Sequence, residues 1–363
     1  MSKITRLFIL ILFSLLTLPV FSEDIPEDVS VVYFSKEISA KSILKIYQKI
    51  KGNVKGEKIG IKVHFGEDGN QTFLNPQLIE PLTKQLNATL VETNVLYGGK
   101  RKTTDSHIKL AKEHGFTFAP IDILDSEGET TYKAKEKLKY FSEVKVGTHL
   151  DKYDTIIIYS HFKGHGSAGF GGAIKNVSMG FAPASGKLQM HTAFVPNYDP
   201  EKCIECGLCL LDCPENAISI KPVVVDTKKC IGCGSCISFC PAKVFTVPDK
   251  NERHSIFLEK LVEYAKVIQE NKNMVYINVL ANITAYCDCM KMTDKPFLPD
   301  IGILASTDIV AIEKASHDLV NKECKCDDAF LKENQVSGYR QIEYAAELKM
   351  GNIKYKLVDI DKD

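Results

Sequence analysis

One cysteine pattern occurs twice in the chain: residues 203–214 read CIECGLCLLDCP, and residues 230–241 read CIGCGSCISFCP. Both runs have the spacing C-x2-C-x2-C-x3-C-P, which is typical of proteins that hold two 4Fe-4S clusters. Three cysteines of a run bind one cluster, and the fourth reaches the other cluster. The repeat therefore predicts one cluster on Cys203, Cys206, Cys209 and Cys240, and a second on Cys230, Cys233, Cys236 and Cys213.

The surroundings of these cysteines favour clusters over a disulfide framework or zinc. Glycines such as Gly207 and Gly232 permit the sharp turns of a cluster loop at low steric cost. Disulfide frameworks are typical of small secreted domains, whereas this chain of 363 residues can bury an ordinary core. Structural zinc sites usually pair two C-x2-C knuckles, and a third cysteine followed by x3-C-P does not fit that pattern.

The composition is that of a soluble globular protein with a core. Hydrophobic residues make up 44% of the chain and charged residues 25%. The 46 basic and 46 acidic residues cancel, so the chain has no net charge that would attract nucleic acid or an anionic membrane. We therefore expect no nucleic-acid partner.

Residues 1–22 have the pattern of a secretory signal peptide. Lys3 and Arg6 precede an apolar run over residues 7–21, which is interrupted by polar residues and a proline and is short for a membrane span. We expect the protein to be exported to a periplasmic or extracytoplasmic location. The alternative is an uncleaved anchor that tethers the protein to the membrane, which would be its only membrane contact.

On either side of the cysteine repeat, β-branched apolar runs alternate with amphipathic helical stretches, as a parallel sheet with crossover helices requires. The sequence predicts an α/β fold, with a mostly parallel sheet and helices on both faces, and a small inserted α+β ferredoxin-like domain that carries the two clusters. Predicted strands cover residues 31–34, 59–63, 89–91, 155–159, 274–280 and 301–304. Predicted helices cover residues 42–51, 75–86, 106–114, 255–269, 311–319 and 341–349. The predicted domains are a signal peptide (1–22), the first part of the host domain (23–196), the cluster domain (197–250) and the second part of the host domain (251–363).

The densest polar motif, SHFKGH over residues 160–165, directly follows a predicted strand. Loops at the carboxyl ends of strands form the ligand crevice in open α/β sheets, so His161, Lys163 and His165 are candidate catalytic residues. A glycine-rich turn follows, and such turns can expose amides to an anion. We therefore expect a possible anion site at Gly169, Gly171, Gly172 and Lys175. The spacing is neither the Rossmann nor the Walker fingerprint, so the pattern does not indicate a nucleotide.

Two further polar stretches follow predicted strands in the same way. KVHFGE spans residues 62–67 and includes His64, while Asn94, Tyr97 and Arg101 follow the third strand. If these strands are parallel, the loops meet at one edge of the sheet, where His191 could join them. Each stretch taken alone is more often structural than functional, and only the recurrence at strand ends indicates a site.

The remaining four cysteines form two C-x-C pairs, Cys287-Asp288-Cys289 and Cys324-Lys325-Cys326. Each pair could bind a metal, form a disulfide in an exported protein, or remain as free thiols, and spacing alone leaves these alternatives open. We note Cys287 and Cys289 as a possible additional metal site.

With these motifs in place, the chain resembles a widespread family of iron–sulfur proteins that carry domain of unknown function 362. The resemblance covers nearly the whole chain after the signal segment. Its motifs are KVHFGE (62–67), TNVLY (93–97), SHFKGH (160–165), GFGGAIKN (169–176), CDC (287–289) and PDIGI (299–303). It implies an α/β domain with an inserted two-cluster ferredoxin module, and it supplies no reaction. This chain departs from the family's usual DPVAID sequence, because it has DIVAIE over residues 308–313.

The leading functional prediction is an exported iron–sulfur electron-transfer protein that relays electrons between a redox protein donor or acceptor and the crevice. One alternative is a reductase or metal-dependent enzyme that acts on a small anionic ligand, with a metal bound through His64, His161, His165 or Cys287. The other is a partner-binding module in which the clusters only stabilise the fold.

Overall fold

The computed structural model describes residues 26–191, 195–211, 213, 215–227, 229–230, 236–237, 240–246, 250–291 and 295–362. The predicted signal peptide and Cys233 lie outside the described residues. The strands are β1 (Val29–Ser35), β2 (Ile59–Lys62), β3 (Thr89–Glu92), β4 (Ile121–Ile123), β5 (Glu129–Lys133), β6 (Glu143–Gly147), β7 (Thr155–His161), β8 (Lys163–His165), β9 (Gly169–Gly171), β10 (Asn197–Tyr198), β11 (Ile218–Ile220), β12 (Val223–Val225), β13 (Phe245–Thr246), β14 (Asn273–Leu280), β15 (Gly302–Ser306) and β16 (Lys354–Asp359). The α-helices are α1 (Ala40–Ile50), α2 (Glu80–Gln85), α3 (Thr104–Glu113), α4 (Ala173–Phe181), α5 (Ala184–His191), α6 (Leu208–Leu211), α7 (Lys250–Asn271), α8 (Ile309–Cys324), α9 (Ala329–Asn334) and α10 (Arg340–Glu347).

The central sheet has eight strands in the order β16-β1-β15-β14-β7-β2-β3-β4. Every neighbouring pair is parallel except those that involve β15, which is antiparallel to both β1 and β14. The predicted class, an α/β fold with a mostly parallel sheet, is therefore confirmed. The antiparallel direction of β15 was not predicted, because a single strand's residues do not reveal the direction of its neighbours.

Helices cover both faces of the sheet, and the alternation of side chains along β7 shows why. Ile156 and Ile158 point into a core shared with α4, α7, α8 and α10, while Ile157 and Tyr159 point into a second core shared with α1, α2 and α3. All seven residues of β7 are buried. A strand that is buried on both faces reads as a continuous apolar run, which is the pattern that the sequence displays here.

The helix starts follow from local capping. Ser39 accepts a hydrogen bond from the Ser42 amide at 3.1 Å, and Asp308 accepts from the amides of Val310 and Ala311 at 2.8 and 2.9 Å. The predicted helix over residues 75–86 is shorter than expected, because Asn75 caps a single 3-10 turn and α2 begins only at Glu80. Since Asp308 caps α8 well, this helix starts at Ile309 without the proline that the resembling family usually has there.

Residues 197–246 pair only among themselves in the described part of the chain. β10 pairs with β13, and β11 pairs with β12, both antiparallel, and none of these strands joins the eight-stranded sheet. The segment also has its own small apolar cluster, which includes Val223, Val244 and Phe245. No helix in the described part of the chain is both long enough and apolar enough to cross a bilayer.

A buried carboxylate links three elements of the first core. Glu313 on α8 accepts hydrogen bonds from the Ala173 amide, where α4 begins, and from Asn278 Nδ2 on β14 at 3.1 Å. Burial raises the pKa of Glu313 to about 7, against the 4.5 of an ordinary glutamate, although these hydrogen bonds oppose the shift. The charged form of Glu313 is therefore costly in the folded protein.

The pKa of Glu313 predicts a pH dependence of stability. The folded state holds this proton more tightly than the unfolded state, so the contribution of Glu313 is fully present below pH 4.5 and is lost as the pH rises through about 7. Glu313→Gln should remove this loss and raise stability at about pH 8 by roughly 1–3 kcal/mol. Thermal unfolding of both proteins across this range measures the effect. Glu323→Gln, at an exposed position on the same helix, is the control and should keep the wild-type pH profile of stability. Equal pH profiles for wild type and Glu313→Gln would contradict the raised pKa of Glu313.

Candidate functional site

Four neighbouring parallel strands, β14, β7, β2 and β3, deliver their following loops to one edge of the sheet. The three loops that we expected to meet there do so, and the loop after β14 joins them with its C-x-C pair. Together they line a crevice with about 790 Å³ of empty space, counted out to its mouth. Its walls include Lys62, His64, Glu92, Tyr97, Arg101, His161, Lys163, His165, Gly171, Gly172, Lys175, Asn176, Lys187, Cys287 and Cys289.

Five cationic side chains line the crevice, and most of them have partners. Lys62 Nζ lies 2.9 Å from Glu92 Oε1 and donates to Asn176 Oδ1 at 2.8 Å. Lys187 donates to Thr93 Oγ1 at 2.7 Å and to two carbonyl oxygens. Burial lowers the pKa of both lysines, that of Lys187 to about 8, with Glu92 opposing the shift in each case.

Arg101 is 2% exposed and holds two loops together. Its Nε donates to Glu67 Oε2 at 3.2 Å, its Nη1 lies 2.9 Å from His64 Nε2, and its Nη2 donates to the Tyr97 hydroxyl. The hydroxyl of Tyr97 in turn donates to the Cys289 carbonyl at 2.9 Å. Burial, reinforced by the Arg101 charge, keeps the pKa of His64 well below its usual range.

Asp288 is fully buried and contacts two residues that line the crevice. Its carboxylate lies 2.9 Å from His161 Nδ1 and 3.2 Å from Lys163 Nζ, while His161 Nε2 lies 2.7 Å from the Ala281 carbonyl oxygen. Burial alone would raise the pKa of Asp288, but the neighbouring His64, Lys163 and His161 side chains hold it well below its usual range. Because both ring nitrogens of His161 face acceptors, the ring is placed to hold a proton between itself and Asp288.

Lys175, on the first turn of α4, differs from the other cations. No hydrogen bond or ion pair reaches its ammonium group among the described residues. Burial, together with the charge of Lys163, lowers the pKa of Lys175 to about 7. A side chain at Gly171 would come within 3.4 Å of Lys163 Nζ and 3.3 Å of Lys175 Cδ, so the glycine leaves room for the two lysines side by side. Such a pair suits an anionic ligand.

The glycine-rich turn does not offer its helix start to an external anion. The amide of Ala173 already donates to Glu313, and a side chain at Gly172 would lie 2.3 Å from that carboxylate. At Gly169 a side chain would meet the backbone of Gly338, so that glycine serves close packing. Of the four residues predicted as an anion site, Gly171 and Lys175 thus face the crevice in a way that suits an anion, whereas Gly169 and Gly172 have structural roles.

His165, Cys287 and Cys289 form a compact group in the crevice. Their ligand atoms all lie within 4.8 Å of one another, so the three could bind a metal ion when the sulfurs are reduced. In this structure the two sulfur atoms lie within bonding distance as a disulfide. Burial and the Lys175 charge hold the pKa of His165 well below its usual range, and its Nδ1 accepts from the amides of Ser167 and Ala168.

The second C-x-C pair is elsewhere. Cys324 and Cys326 also form a disulfide, at the C-terminal end of α8, and do not line the crevice. The ring of His191, which we expected to join the crevice, stacks on Phe257 of α7 with a centroid distance of 5.2 Å, and burial lowers its pKa to about 4.

The repeat cysteines are brought together across the two runs. Cys203, Cys206 and Cys209 of the first run and Cys240 of the second line one cavity, whose other walls include Ile204, Ile220, Val223, Val244 and Phe245. Backbone amides point at the sulfurs in both runs: Ala217 N–H donates to Cys213 Sγ at 3.2 Å, and Val244 N–H donates to Cys240 Sγ at 3.3 Å. Such amide–sulfur contacts are among the features that tune cluster thiolates.

The sequence analysis did not identify several of the residues that line or support the crevice. Glu92 and Lys187 carried no motif, although Glu92 ends a strand and could have been noticed by that position alone. Asp288 was visible only as the middle residue of a C-x-C pair. Its role as the shared partner of His161 and Lys163 depends on the pairing of β14 with β7, which local sequence does not reveal.

Comparisons with known proteins give one family and several distantly similar structures. Residues 59–318 match the family described as "Domain of unknown function (DUF362)", and no curated protein matches the chain. The lactate racemase apoprotein from Thermoanaerobacterium thermosaccharolyticum is 14% identical over 71% of this chain and 52% of its own, with a TM-score of 0.36. A Thermotoga maritima protein is 12% identical over 79% of this chain and 59% of its own, with a TM-score of 0.39. The chain thus spans between half and three fifths of the length of these two proteins.

Lys175 predicts pH-dependent anion binding in the crevice. With a pKa of about 7, the amine is charged below that pH and neutral above it, so the affinity for sulfate should fall about tenfold between about pH 6 and pH 8. Lys175→Met should bind sulfate weakly at both pH values, whereas Lys175→Arg should keep the affinity at the higher pH. Isothermal titration calorimetry measures these affinities, and Lys322→Met at an exposed position is the matched control. A wild-type affinity that is unchanged between the two pH values would contradict the prediction.

Proposed function

The chain belongs to the family of domain of unknown function 362, and from its own residues we propose that it is an iron–sulfur electron-transfer protein. In this proposal two 4Fe-4S clusters pass single electrons between a redox protein and the crevice. The observation that carries the proposal is the cavity lined by Cys203, Cys206, Cys209 and Cys240. These four residues are the ones that the exchanged-ligand pattern requires for one cluster, although Cys240 belongs to the other run.

The environment of the sulfurs supports the same proposal. The cavity walls are mainly aliphatic and aromatic, and burial in an apolar shell is one of the factors that set a cluster's potential. The amide contacts of Cys213 and Cys240 occupy equivalent places in the two runs, as a pair of similar cluster sites requires. The second cluster would be held by Cys230, Cys233, Cys236 and Cys213.

We assign the clusters to an inserted domain over residues 197–250, with residues 23–196 and 251–363 as the two parts of the host domain. The pairing of β10 with β13 supports this division, because it joins the beginning of the segment to its end. The antiparallel β11–β12 pair and the small apolar cluster give the segment an interior of its own. A domain with its own core is the usual form of such an insertion.

The crevice is the proposed destination of the electrons, with a small anionic ligand as the acceptor. Lys163 and Lys175 provide the positive charge, and Asp288 orients the N–H groups of His161 and Lys163, which both line the crevice. Proton supply matters because reduction of most organic acceptors takes up protons together with electrons. His161, Lys163 and His165 are the residues that we propose for this step.

A metal-dependent enzyme is the second candidate, and one observation favours it. His165, Cys287 and Cys289 present three ligand atoms within 4.8 Å of one another inside the crevice. Three protein ligands and one open position are the usual arrangement of a catalytic zinc site. Metal analysis of the protein after reduction of its disulfides distinguishes the two candidates.

Export is the proposed location, with a redox protein in the same compartment as the partner. The disulfide of Cys324 and Cys326 supports an oxidising compartment, because such bonds are rare in the cytosol.

Exchange of the fourth ligand gives a specific pattern of cluster loss. The wild-type protein should contain about eight iron atoms, and the Cys209→Ala and Cys240→Ala variants should each contain about four. The double variant C209A/C240A should also keep about four, because both residues serve one cluster, whereas C209A/C213A should lose nearly all iron. Iron and acid-labile sulfide analysis after anaerobic purification measures this. Zinc in place of iron, or the reverse order of the two double variants, would contradict the assignment.

A further inference from the structure

The loop between β14 and β15 holds the Cys287–Cys289 pair rigidly at the crevice. The Asp288 side chain between the two cysteines is bound by His161 and Lys163, and its carbonyl accepts from the Glu67 amide at 3.0 Å. The Cys289 carbonyl accepts from the Tyr97 hydroxyl, so three other loops fix this one. Both sulfurs line the crevice, and Cys287 is only 3% exposed.

The other C-x-C pair provides an internal comparison. Cys324 and Cys326 have the same spacing and are also joined, but they lie where α8 ends and Lys325 adopts the left-handed conformation of a helix C-cap. Neither of these cysteines lines the crevice. The two pairs therefore share local chemistry and differ in surroundings, and only the first pair is placed next to a ligand site.

We propose that Cys287 and Cys289 are a redox-active pair, which collects two electrons one at a time and then reduces a small disulfide that carries carboxylates. The inference rests on the proposed electron-transfer function for its electron source. It adds the substrate class and the group that meets the substrate.

The electrons and atoms of the two steps balance. In the first step the Cys287–Cys289 sulfur–sulfur bond takes up two electrons, which the two proposed clusters would supply one at a time, and two protons from solvent, and becomes two thiols. In the second step one protein sulfur, as the thiolate, attacks a sulfur of the substrate and displaces half of it as a thiol. The other protein sulfur then attacks the mixed disulfide, which releases the second thiol and restores the Cys287–Cys289 bond.

The crevice fits the substrate class. A dithiol of this kind reacts most readily with another sulfur–sulfur bond. The ammonium groups of Lys163 and Lys175, which both line the crevice, favour a small molecule with negative charge. A charged, small disulfide meets both conditions.

The first experiment follows the two pairs by thiol alkylation and peptide mass spectrometry in the cluster-loaded protein. Dithionite should open the Cys287–Cys289 bond and leave the Cys324–Cys326 bond closed. In the cluster-free C209A/C213A variant, dithionite should leave both closed, whereas dithiothreitol should still open the crevice pair. Loaded clusters with a crevice pair that stays closed under dithionite would overturn the inference, while failure to load iron would instead count against the proposed function.

The second experiment compares 3,3'-dithiodipropionate with the neutral bis(2-hydroxyethyl) disulfide, which is of similar length. Protein reduced beforehand with dithiothreitol and then desalted should reduce the dianionic compound about tenfold faster than the neutral one. Lys175→Met should remove this preference, whereas Lys322→Met, at an exposed position outside the crevice, should keep it.

The cysteine variants complete the test. C287A/C289A should abolish reduction of both compounds, and C324A/C326A should have the wild-type rates. Cys289→Ser, which changes only the half-buried cysteine, gives the same test if the double variant does not fold. Equal rates for the two compounds would overturn the substrate class. Retained activity in C289S, or a tightly bound metal that blocks alkylation of the reduced pair, would overturn the redox role.

Discussion

The parallel arrangement of β14, β7, β2 and β3 is the constraint on which the crevice depends. In parallel strands the carboxyl ends lie at the same edge, so four loops that are far apart in the sequence begin within a few strand widths of one another. Asp288, from the last of these loops, can therefore contact His161 and Lys163 from another, and Arg101 can reach both His64 and Tyr97. An antiparallel neighbour in this group would have sent one loop to the opposite edge. β15 is such a strand, and the loop that follows it does not reach the crevice.

Charge neutralisation explains how so many cations are accommodated in one buried place. An unpaired buried charge is costly, and most of the lysines and the arginine have a carboxylate, amide or carbonyl as partner. Lys62 has Glu92, Lys163 has Asp288, and Arg101 has Glu67. Lys175 lacks such a partner among the described residues, which leaves one positive charge for a ligand to neutralise.

Much of this arrangement could be predicted from local sequence, and the remainder depends on long-range pairing. Apolar runs such as residues 155–159 and 274–280 indicated strands, because a strand that is buried on both faces consists of consecutive apolar residues. The cysteine repeat could likewise be recognised from the spacing of its residues alone. By contrast, the sequence of α8 gives no sign that Glu313 has a special role. Only the packing of α8 against α4 reveals that the Glu313 carboxylate accepts a hydrogen bond from the first amide of α4. For the same reason, the sequence does not show that the amide of Ala173, directly after the glycine-rich turn, already donates to Glu313.

The position of β1 in the sheet bears on how the chain matures. β1 pairs with β15 on one side and with β16 on the other, so both of its partners come from the last part of the chain. Among the described strands, β1 is synthesised first and β16 last, so β1 cannot complete its pairing until β16 has been synthesised. Contacts of such wide sequence separation slow folding. The sheet is therefore complete only when nearly the whole described chain has been synthesised.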